Sequence, residues 1–580
     1  MHVVATAGHV DHGKSTLVLA LTSIDPDRFA EEKRRGLTID LGFAWTTLPS
    51  GRGIAFVDVP GHVRFLKNML AGVGAVDACL FVVAATEGWK PQSEQHLRIL
   101  ELLGIDHGVI ALTKVGIVDD DHAELARLDV VDHVAGTFLE GAEVVPVDAP
   151  TGVGLGGLRL ALDRLLTDTP TAADHERPRL WVDRSFAASG AGTVVTGTLT
   201  GGSISTGDEL IVSNDAGDHP VRVRGLQSLG QSHDALGPGN RTAVNLVGVH
   251  HHAVARGDAL VRPGQWHRTR TIDASLRVLG ALGHEVSRRG AYVAYIGSGE
   301  HPVRLRILGP DAIAPGEQGL VRLHLSIALP LVPGDRYVLR ESGRSETVGG
   351  GEVLDIEPAL RASKAQPDRS VDRVIAERGW VDVDVLERLT GERRPPTVGR
   401  WVVDASALAG TVERLRAMVN AAGPLGLDVA ALDERDRAVL ATLDAVIVSG
   451  GRAAAAGAGD PLAGHPFVAA LEAAPFMPPS ADDLAVDRAE LHELVRRDLV
   501  VQQDGVWFAP SAIDQAAATV GALLRAQPEG VTVAEVREAL GTTRKWAVPL
   551  LTILDARGIT RRRDDVRVAG PRLPDGKSPS

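Results

Sequence analysis

Along residues 1 to 172, short apolar runs (HVVATAG, GIAFVDVP, ACLFVVAA, HGVIALT, AEVVPVD) alternate with segments of helical spacing such as EQHLRILELLG and LRLALDRLL. Strand and helix in strict alternation predict a parallel sheet with helices on both faces, and ligands in such folds sit beyond the carboxyl ends of the strands. From Arg177 to Pro358 the pattern becomes short β-branched runs broken by glycine turns: GTVVTGTL, DELIVS, VRVRGLQSL, RTAVNLVGV, VRLRILG, QGLVRLHLS and DRYVLRES. That pattern predicts an all-β region whose length suits two small barrels, joined around the polar segment Arg262 to Thr271. Beyond Ser363 the chain turns helical and rich in Ala, Leu and Arg. Three stretches there, LDAVIVSGGRAAA, RRDLVVQQDGVWFAP and DARGITRRRDDVRVAG, each pass from a helix into a strand, a polar turn and a second strand. Helices ending in a two-stranded ribbon outline a winged helix, and residues 365 to 570 have room for four such units. The segment GGRAAAAGAGDPLAG reads as a linker between the second and third.

Composition sharpens this picture in two ways. The 580 residues correspond to about four domains at roughly 150 residues each, and 44% apolar with 23% charged residues is the balance of a globular chain. Cys79 has no cysteine partner, which excludes intrachain disulfides and cysteine zinc sites and suits a reducing cytosol. No stretch approaches the roughly 20 apolar residues that span a bilayer, so the expected location is cytoplasmic. The net charge of −13 argues against a protein that coats nucleic acid, yet residues 541 to 580 hold nine Lys or Arg against four Asp. The end of the chain is therefore basic, at +5, while the other 540 residues carry −18.

The chemistry-bearing strings begin with Gly8, His9, Val10, Asp11, His12, Gly13, Lys14 and Ser15, a GxxxxGKS loop that follows one strand and, with Thr16, opens a helix. Glycines let the backbone amides wrap phosphate oxygens, Lys14 neutralises the terminal phosphates, and the Ser15 hydroxyl is a magnesium ligand. Lysine is scarce, eight residues against 53 arginines, so a lysine at this position is not incidental. DVPGH follows the strand GIAFV and sets Asp58 to hold magnesium through water, the Gly61 amide to meet a terminal phosphate, and His62 to face the attacking water. Thr38 in RRGLTIDLGF offers a second hydroxyl for the metal. Together they describe a nucleoside triphosphatase used as a switch. After GVIAL, Thr113 and Lys114 match the segment with which guanine-specific switches read the base, but Gly116 stands where a guanine-reading Asp is expected, which predicts weakened guanine selectivity with hydrolysis retained. Asp119 and Asp120 follow closely, either as loop carboxylates or in reach of the base, and the last base-contact loop, usually SA, reads Asp148, Ala149.

GHVDHGKS, RRGLTID, DVPGH and TKVG, followed by two barrels, resemble the translational GTPases of the elongation factor Tu type. EEKRRGLTIDLGFAW, PGHVRFLKNMLAGVGAVD, WVDRSF with GAGTVVTGT, VRVRGLQSL and GDRYVLRESGRSETVGGGEVLD, together with the winged-helix tail, are similar to the bacterial selenocysteine-specific elongation factors, the SelB family. The resemblance implies a multidomain chain: an α/β P-loop GTPase domain over 1–172, β-barrels over 177–267 and 268–358, and winged-helix units over 365–510 and 511–570. It further implies GTP and Mg²⁺ as cofactors, ribosome-stimulated hydrolysis, and delivery of selenocysteinyl-tRNA to the ribosome at in-frame UGA codons, with no membrane partner. Asp183, Arg184 and Arg241 fall on the family's selenocysteine pocket, where guanidinium groups distinguish an ionised selenol from a serine hydroxyl. Arg544, Lys545, Arg561, Arg562 and Arg563 fall on the unit that binds the messenger RNA hairpin, and Trp546 precedes an apolar stripe that places it in the core. Two rival readings remain. Another translational GTPase leaves the winged helices without a task, and an RNA-binding adaptor with a degenerate nucleotide site draws on Gly116.

Overall fold

The computed structural model describes residues 2–26, 40–60, 76–188, 190, 192–422, 425–456, 462 and 464–573. It forms two compact units, residues 1–404 and 405–580.

In the first unit a six-stranded sheet runs through β1 (His2–Ala7), β2 (Gly42–Thr47), β3 (Gly53–Asp58), β4 (Ala78–Ala84), β5 (Gly108–Thr113) and β6 (Val144–Pro146), in spatial order β2-β3-β1-β4-β5-β6. Five strands are parallel, as the alternating pattern predicts. The sixth corrects it: β2 lies antiparallel to β3, with Phe43 opposite Val57 and Trp45 opposite Ala55. Trp45 is exposed, so this edge strand lacks the apolar run by which the buried strands are recognised. Both faces are covered, by α1 (Lys14–Thr22) and α4 (Leu155–Asp168) around Leu17, Leu21, Phe56 and Leu162, and by α2 (Pro91–Leu102) and α3 (Asp120–Val134) around Phe81, Leu97, Ile110 and Val130.

Two closed six-stranded barrels follow. In the first, strands Glu209–Asn214, Ala259–Val261, Arg179–Trp181, Gly192–Thr200, Arg241–Val247 and Gly217–Ser228 are neighbours in that order, and the last pairs back to the first. In the second the order is Arg268–Val278, Gln318–Pro330, Gly299–Ile307, Tyr292–Ile296, Arg336–Glu341 and Glu346–Asp355. Its first strand begins at Arg268, so the end of the segment expected as a joint is sheet: Thr269 pairs with Leu329 and is buried. The polar look of HRTRT hides a strand whose alternate residues face the core.

Residues 371–403 pack with the barrels: Arg177 donates to the carbonyls of Glu387 (3.3 Å) and Arg388 (2.9 Å), and Arg373 pairs with Asp355 at 3.0 Å. Among the described residues of the second unit are three helix-and-ribbon segments. Their ribbons are Val446–Ser449 with Arg452–Ala455, Val501–Gln503 with Val506–Phe508, and Thr560–Arg563 with Val566–Ala569, each in one of the three stretches singled out by their sequence. The stretch expected as a linker thus begins as the second strand of a ribbon.

The run Gly349, Gly350, Gly351 shows how tightly the second barrel closes. A Cβ on Gly351 would stand 2.0 Å from the Ser275 carbonyl oxygen, and one on Gly349 2.2 Å from that of Arg277. Gly351→Ala is expected to lower stability by about 1–3 kcal/mol or more through this overpacking, read as a lower urea midpoint with an unchanged slope. An unchanged midpoint would contradict the close approach.

Candidate nucleotide site and RNA-facing surfaces

The loop between β1 and α1 is gripped from three sides. Gly8 has φ 129°, and a Cβ there would lie 2.1 Å from the Val82 carbonyl oxygen, so only glycine lets the loop lie against β4. From α2, His96 Nδ1 accepts the Gly8 N–H (3.1 Å) and Gln92 Oε1 accepts that of Val10 (3.2 Å). From β5, the Thr113 hydroxyl donates to the His12 carbonyl at 2.7 Å. His12 turns inward, and because its Nδ1 faces the Val82 carbonyl at 3.2 Å, that nitrogen carries the proton. Asp11 and Gly13 take φ 64° and 84°, the left-handed turns that coil the loop.

Lys14 is buried, and its Nζ donates to the carbonyls of Gly8 (3.0 Å) and His9 (2.8 Å). Burial pulls its pKa down to about 8, partly offset by the carboxylates of Asp58 and Asp11. One residue on, the Ser15 hydroxyl donates to Asp58 Oδ2 (2.6 Å), while Thr6 donates to Asp58 Oδ1 (2.7 Å) and accepts the Val59 N–H (3.1 Å). Ser15 and Asp58, predicted from separate strings, are thus in contact, and two hard oxygen donors at this spacing suit Mg²⁺. Thr16 is exposed on the first turn of α1. Thr38, Gly61 and His62 lie outside the described residues.

On the base-reading side, Thr113 ends β5 buried, and Lys114 (φ 60°) brings its Nζ to 3.5 Å from Glu87. Asp119 caps α3, accepting the His122 N–H at 2.9 Å, and Asp120 lies in that helix's first turn, so both serve the helix. Asp148, by contrast, is buried next to Gly116.

Between the sheet and the first barrel lies a cleft of about 370 Å³ lined by Phe43, Trp45, Phe56, Arg184, Phe186 and Arg241, among others. Both arginines meet the Phe43 ring, the guanidinium carbons 4.5 Å (Arg184) and 3.6 Å (Arg241) from its centroid. Asp183 bonds Arg241 at 2.5 and 3.0 Å and accepts from Thr196 at 2.6 Å. Arg184 instead donates to the Leu41 carbonyl and lies 3.9 Å from Asp40, so the two guanidinium groups are held by different partners. Phe43 escaped notice because nothing in GFAWTT marks an aromatic that two distant arginines will share.

In the last ribbon Arg561, Arg562 and Arg563 are exposed, with Arg561 and Arg563 on one face and Arg562 on the other. Arg544 and Lys545 are exposed at the start of the helix Arg544–Ala556, where the helix dipole adds to their positive charge. Trp546 is half-buried with the Lys545 ammonium 5.2 Å from its ring centroid, which corrects its assignment to the core: the stripe that faces inward begins at Ala547.

Three family models match: "Elongation factor Tu GTP binding domain" over residues 1–168, "Selenocysteine-specific elongation factor, beta-barrel domain" over 286–360, and "Elongation factor SelB, winged helix" over 522–569. The chain is 40% identical over 353 residues to the selenocysteine-specific elongation factor of Desulfomicrobium baculatum, a match covering 61% of this chain and 55% of that one. It thus spans little more than half the length of that relative. Elongation factor Tu 2 of Streptomyces avermitilis is 31% identical over 389 residues, covering 61% of this chain and 96% of its own length. The crystal structure of a bacterial selenocysteine-specific elongation factor, EF-Sec, superposes with a TM-score of 0.71 at 25% identity, covering 98% of this chain and 99% of that one. No helix among the described residues is long and apolar enough to cross a membrane.

His12 and His96 carry a consequence for acid stability. Burial is the largest cause that holds each down to about 3. Their folded values lie below the unfolded one, so the stability they contribute is present above pH ~6.5 and is lost as pH falls toward 3, by up to about 1.4 kcal/mol per unit for each. The thermal midpoint is expected to drop between pH 7 and pH 5, and His96→Gln, which retains an acceptor for Gly8, should make that drop shallower. Equal slopes in the two proteins would contradict it.

Proposed function

The chain belongs to the selenocysteine-specific elongation factor family of translational GTPases, and from that premise we propose that it carries selenocysteinyl-tRNA to ribosomes paused at in-frame UGA codons and hydrolyses GTP on decoding. The observation that carries the proposal is the contact of Ser15 with Asp58 beside the buried Lys14, in a chain whose last unit matches the SelB winged helix. A decayed nucleotide site has no reason to keep a buried lysine and a buried carboxylate in that arrangement.

In this reading the amides of Gly8 to Gly13 and the Lys14 ammonium hold the phosphates, and the loop carbonyls that Lys14 now meets hand it over to phosphate oxygens. Ser15, Thr38 and Asp58 are the residues that would hold Mg²⁺, and the ion, when bound, would neutralise charge on the phosphates. The Gly61 amide meets the terminal phosphate, and His62 positions the attacking water. Thr113 and Lys114 line the base. Because Thr113 also bonds the His12 carbonyl, base and phosphate contacts share one rigid frame.

The cleft between sheet and barrel receives the aminoacyl group, and Arg184 and Arg241 favour a selenolate over a neutral hydroxyl. Phe43 holds both guanidinium groups in place by cation–π contact. Arg561 and Arg563, on one face of the ribbon, and Arg544 and Lys545 at the helix start grip phosphates of the messenger hairpin, with Arg562 on the opposite ribbon face.

Two outcomes test this. With ribosomes programmed by UGA and a downstream hairpin, His62→Ala should slow single-turnover GTP hydrolysis by roughly 100-fold while leaving GDP binding nearly intact. Equal rates would reject that role. Replacing both Arg561 and Arg563 by Ala should weaken hairpin binding and flatten the dependence of log K on log salt by about one unit for each phosphate no longer neutralised. An unchanged slope would remove these residues from the interface.

A further inference from the structure

Gly116 leaves the base-reading segment without its expected carboxylate, and the neighbouring strand brings one to the same place. β5 and β6 are adjacent and parallel, with Leu112 opposite Pro146, so the segments that follow them emerge side by side. A Cβ built on Gly116 would lie 2.9 Å from both Cγ and Oδ2 of Asp148 and 3.4 Å from its Cβ. A side chain at 116 would therefore crowd the Asp148 carboxylate where it now sits. The Gly116 backbone lies outside the positive-φ region, so the position requires glycine for room and not for conformation.

Asp148 is also held in place. Its N–H donates to the Val153 carbonyl (2.9 Å), its own carbonyl accepts from Gly152 (2.9 Å), and the Thr151 hydroxyl donates to Oδ2 (2.6 Å). Only 5% of the residue is exposed. A carboxylate offers about four lone-pair sites, so one bond from Thr151 leaves acceptor capacity on both oxygens.

We propose that Asp148 supplies the carboxylate that reads guanine, acting from the segment after β6, beside the segment after β5 that lacks one. The inference rests on the nucleotide-binding reading of the loop and names the residue that sets its base specificity. Guanine presents two parallel N–H donors, at the ring nitrogen and the 2-amino group, which one carboxylate accepts together. Adenine presents a ring acceptor and no 2-amino group, and xanthine presents a carbonyl oxygen there. Either one leaves the carboxylate facing an acceptor, a mismatch that discriminates strongly in a buried site.

The test is equilibrium titration of the full chain with GDP, XDP and ADP. The wild type is expected to prefer GDP by roughly 100-fold or more. Asp148→Asn should lose most of its GDP affinity and gain affinity for XDP, because an amide N–H meets the 2-carbonyl oxygen; a gain of this kind cannot come from misfolding. Gly116→Asp alone should weaken GDP binding by crowding two carboxylates, and adding Asp148→Ser should restore it. Unchanged GDP affinity and preference in Asp148→Asn would overturn the assignment while leaving the nucleotide site standing, as would a wild type that binds all three alike. A wild type that binds none of the three would overturn the nucleotide reading itself and this assignment with it.

Discussion

The buried carboxylate of Asp58 is the contact on which the nucleotide end of the molecule depends. It has no exposed surface, and it accepts from Thr6 on β1 and Ser15 on α1. A buried charge left without such partners costs several kcal/mol, so these hydroxyls fix one geometry rather than merely favour it. Through them the ends of β1 and β3 and the first turn of α1 are tied to one carboxylate.

Charge along the chain is likewise settled by local pairing. The body is acidic and the tail basic, but part of the tail's charge is neutralised internally. Arg567 is buried against Asp555 (3.3 Å), which also accepts from Thr560. Upstream, Arg496 and Arg497 both turn onto Glu493, whose pKa falls to about 2 chiefly through its bond from Arg496. The charge available to an RNA is therefore a small patch, consistent with binding through a few phosphates on a body that otherwise repels them.

How much was legible in the sequence follows from where each signal resides. Continuous apolar runs marked the buried strands, and the ribbons of the second unit announced themselves by strand, polar turn, strand. The edge strand β2 and the start of the second barrel at Arg268 were not legible, because one carries an exposed Trp45 and the other opens on polar residues. At the site, Lys14, Ser15 and Asp58 were found because loop chemistry dictates their spacing. Phe43 was not, and Asp148 stood out only as a departure from SA in the last base-contact loop, because what each touches is set only when strands far apart in sequence become neighbours. Gly116 looked like a loss while it was read along one strand. Read across to the next strand, it is a vacated position beside a carboxylate.

The central claim is that nucleotide state and a charge-selective cleft act together to carry one aminoacyl-tRNA. Its most direct measurement compares binding of selenocysteinyl-tRNA and seryl-tRNA, charged on the same tRNA body, to the full chain loaded with a nonhydrolysable GTP analogue or with GDP. Tight binding of the selenocysteinyl form alone, lost with GDP and weakened by Arg241→Met, is the predicted result. Equal binding of the two tRNAs, or binding indifferent to the nucleotide, would contradict the account.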